Sequence, residues 1–289
     1  MKKHILFSTA ALLCGAVAFV LRFLQNRTGF DALGLPVSGN IPAAALVAVL
    51  ILAGVVLLVL SRRLAAPSDV SFPQSFAVEN TSLLFLPVAG SLLIGLSGLA
   101  DLYEGATFNN LLVQIQIAAD PYSSTIPDAA TAVGFSSVSQ MILGVASLLS
   151  AGALFLSAIS CRKWMAAKPS TGIFLLIPPV ALVVRLVMTY RLDSINPALE
   201  AYYVELLALI FLTLAFYRLS SFAFGDGRLP RFALYAGFAS VCSLASLADG
   251  GPHLSSLLLY LGGTLTVLGF LLLAGAAPDR VSSDSDDSE

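Results

Sequence analysis

The chain has 289 residues, of which 57% are hydrophobic and only 11% charged, with a mean hydropathy of +0.90 and a formal net charge of −2. Soluble domains carry about 25% charged residues, so this composition excludes a water-facing globule. The near-neutral balance excludes a basic nucleic-acid binder as well. What remains is an all-α, polytopic transmembrane helical bundle, with the lipid bilayer as its first partner.

A helix needs roughly 20 apolar residues to cross the hydrocarbon core. Eight segments meet that length, at about 4–24, 42–60, 83–101, 138–160, 172–190, 202–217, 231–249 and 254–275. Lys2 and Lys3 precede the first, but its apolar run is long for a cleavable signal, and the triplet before Cys14 ends in Leu13 rather than a small residue. It reads as a retained helix. The sixth segment is short, and its helix is expected to start past Pro197 and run on to Phe222.

Basic residues set the orientation. Lys2, Lys3, Arg62, Arg63, Arg162, Lys163, Lys168, Arg218, Arg228, Arg231 and Arg280 share one side, eleven of the 15 Lys and Arg. Arg27 and Arg191 lie on the other, while Arg22 and Arg185 fall within spans. Both termini are therefore expected in the cytoplasm of a plasma-membrane protein. Residues 1–277 form the membrane domain. The acidic, serine-rich remainder, 278–289, lacks apolar content and is expected to be disordered.

The two halves of the chain match in order. VAFVLRF (17–23) parallels VALVVRL (180–186), setting Arg22 opposite Arg185, and LSGLAD (96–101) parallels LASLAD (244–249), setting Asp101 opposite Asp249. Arg63-Leu64 parallels Arg218-Leu219. These matches predict a 4+4 internal repeat with units of about 1–168 and 169–277. Four spans per unit make the repeats parallel, as in one class of transporters.

The ionisable residues within the spans concentrate at one depth. Arg22 and Arg185 lie near the outer ends of outward-running helices, as do Asp101 and Asp249, and Glu205 enters one turn into the sixth span beside Tyr202 and Tyr203. An arginine at a helix centre costs about 2.5–3.5 kcal/mol, and less near an interface. Arg22 is close enough to the headgroups to snorkel. Arg185 is deeper and wants a carboxylate, with Glu205 the expected partner and Asp249 the next, either suiting the guanidinium fork. Snorkelling and a structural ion pair explain these residues without any ligand. A solvent-filled vestibule binding a small anionic or zwitterionic solute explains them too. In that second reading Arg22, Arg185, Glu205, Asp101, Asp249 and Tyr202 are the ligand-binding candidates. Pro178 and Pro179 would kink the fifth span, and Tyr190, Tyr202 and Tyr203 would form a rim, although tyrosine at this depth is ordinary belt chemistry. The long loop 102–137 contains LLVQIQIA (111–118), readable as a lid or as inert outer chain.

Motifs for chemistry are sparse. GLSG (95–98) matches the serine motif of rhomboid-type proteases, but His4 lies on the wrong side and His253 lacks that family's helix motif, so small residues for close helix packing are the simpler reading. FGDGR (224–228) has Ala223 where aspartyl intramembrane proteases need glycine. No P-loop, HExxH or CxxC occurs, so no catalytic residue, metal site or cofactor is assigned. Cys14, Cys161 and Cys242, odd in number and widely spaced, read as small buried hydrophobes.

INPALEAYYVELLALIFL (195–212) and FYRLSSFAFGDGRLPRFAL (216–234) resemble uncharacterised multi-spanning membrane proteins of gut-type Firmicutes. That resemblance covers the fifth to seventh spans, implies a bacterial plasma membrane, and carries no functional residue with it. Two functions follow as expectations: solute recognition or transport at the outer polar site, or a non-transporting subunit, sensor or scaffold acting through helix contacts with a membrane-protein partner.

Overall fold

A computed structural model describes residues 1–30, 37, 39–64, 72–118, 127–162, 172–193, 202–249 and 254–277, with the side chains of 108–109, 111–118, 127–136 and 192–193 excepted. The described residues form eight α-helices: α1 (Lys2–Thr28), α2 (Ile41–Ser61), α3 (Phe85–Ala118), α4 (Pro127–Ser160), α5 (Ile177–Asp193), α6 (Tyr203–Ser221), α7 (Leu229–Ser246) and α8 (Leu254–Ala276). Each is long and apolar enough to cross a membrane, once the 3-10 turns that extend α3, α5, α6 and α7 are counted with them. Consecutive spans alternate in direction, so the ends of α1, α3, α5 and α7 share one face of the bundle with the starts of α2, α4, α6 and α8. This face is called the far end below.

The most apolar span is the least buried, and the least apolar is among the most buried. α2 has a mean hydropathy of 3.2 and is only 22% buried, whereas α7 has 1.4 and is 67% buried. Lipid selects the greasy exterior of α2, including Ile51, Leu52 and Val55. α7 is instead surrounded by α1, α2, α6 and α8, and its small residues Ala233, Ala236, Gly237, Ala239, Ser240, Ser243 and Ala245 are buried. Small side chains let backbones approach, which is what holds helices together where no hydrophobic effect acts between them.

Two crossings reach backbone contact. A Cβ on Gly90 of α3 would lie 2.6 Å from the Gly262 carbonyl oxygen of α8, and one on Gly262 would lie 2.7 Å from that of Gly90. Gly98 of α3 and Gly144 of α4 stand in the same relation, 2.8 Å in each direction. The GLSG stretch thus serves packing between α3 and α4, as its small residues suggested. The end opposite the far end is closed by aromatic rings. The segment after α2 tucks in there: the Phe72 N–H donates to the Phe222 carbonyl at 3.0 Å, and Phe76 meets Phe222 and Phe270 at centroid distances of 5.0 and 5.8 Å.

Several expected boundaries change. The third span does not end at residue 101: α3 continues to Ala118 and α4 begins at Pro127, each helix having 34 residues. Each is about 51 Å long at 1.5 Å per residue, well beyond a core of about 30 Å. The backbone of LLVQIQIA is therefore helix, not loop, and Asp101 sits inside a continuous helix. Pro178 and Pro179 do not kink a helix interior either. They fall in the first turn of α5, directly after a 3-10 turn at Gly172–Leu176, where a missing N–H costs nothing. α6 ends at Ser221 followed by a 3-10 turn at Phe222–Phe224, close to the expected end. It starts at Tyr203, with Tyr202 at its N-cap, later than the expected start just past Pro197. The partners of His253 and the acidic tail lie outside the described residues.

Candidate functional site

The far-end charges assemble from five of the described helices, α1, α3, α5, α6 and α7 with its terminal 3-10 turn. On α1, Arg22, Gln25 and Asn26 are spaced i, i+3 and i+4, which puts them on one face. α7 passes into a 3-10 turn at Leu247–Asp249 and delivers Asp249 to that face. Arg22 Nε donates to Asp249 Oδ1 at 2.5 Å, and Asn26 Nδ2 donates to the same oxygen at 2.9 Å and to the Ala248 carbonyl at 3.1 Å. Arg22 Nη1 donates to Gln25 Oε1 at 3.0 Å, and its guanidinium carbon stands 5.4 Å from the centre of the Tyr203 ring.

Arg22 is fully buried. It does not snorkel, contrary to the expectation from its depth. A buried charge is tolerable only when it is paired and its remaining protons are bonded, and Asp249, Gln25 and the face of Tyr203 meet that requirement together.

Arg185 finds a different partner from the expected Glu205. Its Nη2 donates to Asp101 Oδ2 of α3 and, at 3.4 Å, to Ser147 Oγ of α4. Axial offset explains the change. Arg185 lies eight residues before the end of α5, about 12 Å in, whereas Glu205 is the third residue of α6, about 3 Å in. Because α3 runs on past Asp101 for a further 17 residues, that carboxylate sits deep enough to meet the guanidinium. Both side chains are buried.

Glu205 instead accepts a hydrogen bond from the hydroxyl of Tyr260, at 2.8 Å. Tyr260, in the second turn of α8, is buried. The two ion pairs and the Tyr260–Glu205 hydrogen bond thus lie toward the same end of the bundle. Of the sequence candidates, Arg22, Asp101, Asp249, Arg185 and Glu205 come together. Tyr202 sits half-buried at the start of α6, where its carbonyl accepts from the Leu206 N–H, and among the described residues its side chain makes no hydrogen bond to the charged layer. Tyr190 is exposed, as a belt tyrosine would be.

The sequence reading missed Gln25, Asn26, Ser147 and Tyr260. For the first two a signal existed: amides three and four residues after an intramembrane arginine share its face. Ser147 and Tyr260 have no comparable signal, since serine and tyrosine are common in apolar helices.

Toward the middle of the bundle from Arg185 lies a partly enclosed cavity. Its walls are Ile94 of α3, Ser147, Ser150 and Leu154 of α4, Pro178, Ala181, Leu182 and Arg185 of α5, Leu212 and Phe216 of α6, and Leu259 and Gly263 of α8. It is narrow, about 20 Å³, with room for one or two water molecules. Of the six sequence candidates, Arg185 stands in this wall. The opening shared by all five charged groups is not what this cavity provides.

Eight spans and an interior charged layer define an integral membrane protein of the α-helical, multi-pass class. Compared with known protein families, curated proteins and solved structures, the chain matches none of them.

Proposed function

We propose that this protein recognises or transports a small anionic or zwitterionic solute at the polar layer near the outer face of the membrane. In this reading Arg185 is the anion contact, and Arg22, Asp101, Asp249, Glu205 and Tyr202 form its surroundings. The observation that carries it is the cavity under Arg185. A guanidinium kept only for stability needs a carboxylate, which Asp101 supplies, but it needs no empty space with two serine hydroxyls beside it. A solute carboxylate entering there would compete with Asp101 for the same fork of donors.

The topology belongs to the same reading. A bacterial plasma-membrane protein with both termini cytoplasmic is supported by the one-sided basic loops and by the resemblance of the fifth to seventh spans. Two parallel four-span units, about 1–168 and 169–277, are supported by the pairing itself, for the arginine of each half meets the aspartate of the other. Reporter fusions after residues 40, 200 and 277 test the orientation: activity of an extracytoplasmic reporter at 277 overturns it.

The test of function is a thermal-unfolding screen of the purified protein against small anions and zwitterions, repeated with Arg185→Ala and Glu205→Ala. Arg185→Ala is expected to abolish stabilisation by the solute while the variant inserts and purifies as one species. If no solute stabilises the protein, and both variants are lost to degradation, the charges are structural.

That outcome would favour a second reading, a non-transporting subunit, sensor or scaffold. It has its own support, because both guanidiniums already end on carboxylates. Deleting residues 278–289 and comparing co-purifying membrane partners tests it, and an unchanged set counts against it.

A further inference from the structure

At the end of the bundle opposite the far end, Arg62, Arg218 and Arg231 stand at one depth on three different helices. Their common level follows from contacts nearer the middle. The Phe211 ring of α6 meets the Phe238 ring of α7 at a centroid distance of 4.4 Å, and a Cβ on Gly54 of α2 would touch the Phe238 ring at 3.4 Å. From that level Arg218 and Arg231 lie seven residues toward the end and Arg62 eight, about 10–12 Å in each case. Those spacings also keep each arginine on the helix face of the residue it is counted from. On α7, from Arg231 to Ser243, Arg231, Leu234, Tyr235 and Phe238 are the residues that are not buried. This stripe meets α6 through Phe211 and Arg218 and α2 through Gly54, so it is the floor of a lipid-facing furrow between those two helices.

The three guanidiniums lack the partners that other arginines of the chain have. Arg22 and Arg185 each end on an aspartate, and Arg228 has Asp226 at 4.0 Å. Among the described residues, Arg62, Arg218 and Arg231 make no ion pair. Arg218 is the most confined of them. Its guanidinium carbon lies 5.5 and 5.9 Å from the ring centres of Tyr217 and Tyr235, and its Nε is buried with no hydrogen-bond partner. A buried donor left unmet costs free energy. We propose that this furrow holds an anionic phospholipid of the adjoining leaflet, with its phosphodiester on Arg218 between Arg62 and Arg231 and one acyl chain lying along Tyr235, Phe211 and Phe238. Phosphate oxygens suit guanidinium forks, and basic pockets between transmembrane helices hold anionic headgroups. A zwitterionic lipid would bring an ammonium group among three cations. A free phosphate would leave the aromatic floor uncovered.

The experiment titrates the purified full chain, in a neutral detergent, with phosphatidylglycerol, phosphatidylcholine and inorganic phosphate, reading thermal unfolding and lipid retained in native mass spectrometry. Phosphatidylglycerol is expected to stabilise the protein and to stay bound, and the other two to do neither at the same concentration. Arg218→Gln should weaken phosphatidylglycerol at least about tenfold, as loss of a hydrogen bond to a charged group does. Arg231→Gln, at an exposed side chain, should weaken it about fivefold, and it keeps the test open should Arg218→Gln fail to fold. Lys2→Gln removes an equal charge from α1, outside the furrow, and should change affinity by no more than about twofold at physiological ionic strength. A loss with Lys2→Gln as large as that with Arg218→Gln would overturn the proposal in favour of general attraction to a basic surface. Phosphatidylcholine bound as tightly as phosphatidylglycerol would overturn the anionic headgroup, and Arg218-dependent binding of inorganic phosphate with equal affinity would overturn the lipid. Wild-type protein that neither gains stability from phosphatidylglycerol nor retains it would remove the site.

Discussion

Arg22 and Asp249, 227 residues apart in the chain, meet at 2.5 Å inside the bundle and join α1 to the end of α7. The pair is a cross-link between the first and last thirds of the protein. Its geometry makes the removal of one partner more damaging than the removal of both.

Asp249→Ala leaves a fully buried guanidinium without its carboxylate. Breaking a buried pair costs about 3–5 kcal/mol, and we expect a loss of that size in detergent unfolding. The double variant Arg22→Met with Asp249→Leu should recover most of it, because neither charge then remains uncompensated. A double variant as unstable as Asp249→Ala would show that the arginine is held mainly by Gln25 and Tyr203.

The Tyr260 hydroxyl donates to Glu205. A hydrogen bond to a charged group is worth about 1.5–3 kcal/mol, so Tyr260→Phe should destabilise by that amount, and Glu205→Gln, which keeps an acceptor, by less. Equal losses in the two variants would mean that the carboxylate charge matters to the layer beyond this one bond. Equilibrium unfolding of both variants in the same detergent measures the difference.

At the α3–α8 crossing, Gly90→Ala places a methyl group against Thr266 Oγ1 at 2.3 Å and the Gly262 carbonyl oxygen at 2.6 Å. Overpacking of this kind costs about 1–3 kcal/mol, and here much of what must yield is backbone. Gly152→Ala on α4 meets nothing within 4 Å and should be neutral or gain up to about 1 kcal/mol of helix propensity. Melting temperatures of the two variants should therefore move in opposite directions or differ clearly in size.

Cys161 follows the last residue of α4, is buried, and its Sγ lies 3.3 Å from the Ser157 carbonyl. Burial pushes its thiol well above the ordinary cysteine range, so it stays protonated through pH 9, and the thiolate is the reactive form. In a Cys14→Ser, Cys242→Ser background, maleimide at pH 8.5 should label it only after unfolding. Fast labelling of the folded protein would mean that the chain around residues 72–78, whose Val78 N–H donates to the Cys161 carbonyl, opens in solution.

How much of this could be read beforehand differs between fold and site. The eight spans were legible, because crossing a bilayer demands a run of apolar residues whatever its neighbours are. The far-end charges were legible as a group for a related reason: ionisable side chains are so costly in hydrocarbon that their positions along each span mark depth. Helix ends were less legible. The apolar residues of 111–118 alternate weakly with glutamines, a pattern that does not distinguish a continued α3 from an outer loop.

The amino-acid sequence by itself determined that the chain is a helical bundle in a membrane and that Arg22, Arg185, Asp101, Asp249 and Glu205 lie toward one end of it. Only the tertiary structure decided that Arg22 takes Asp249, that Arg185 takes Asp101 rather than Glu205, that Tyr260 donates to Glu205, and that empty space lies below Arg185. The physical reason is that depth is a property of one helix at a time. A charge pair or a cavity depends on which helices are neighbours, how far each is shifted along the axis, and which faces they turn to one another.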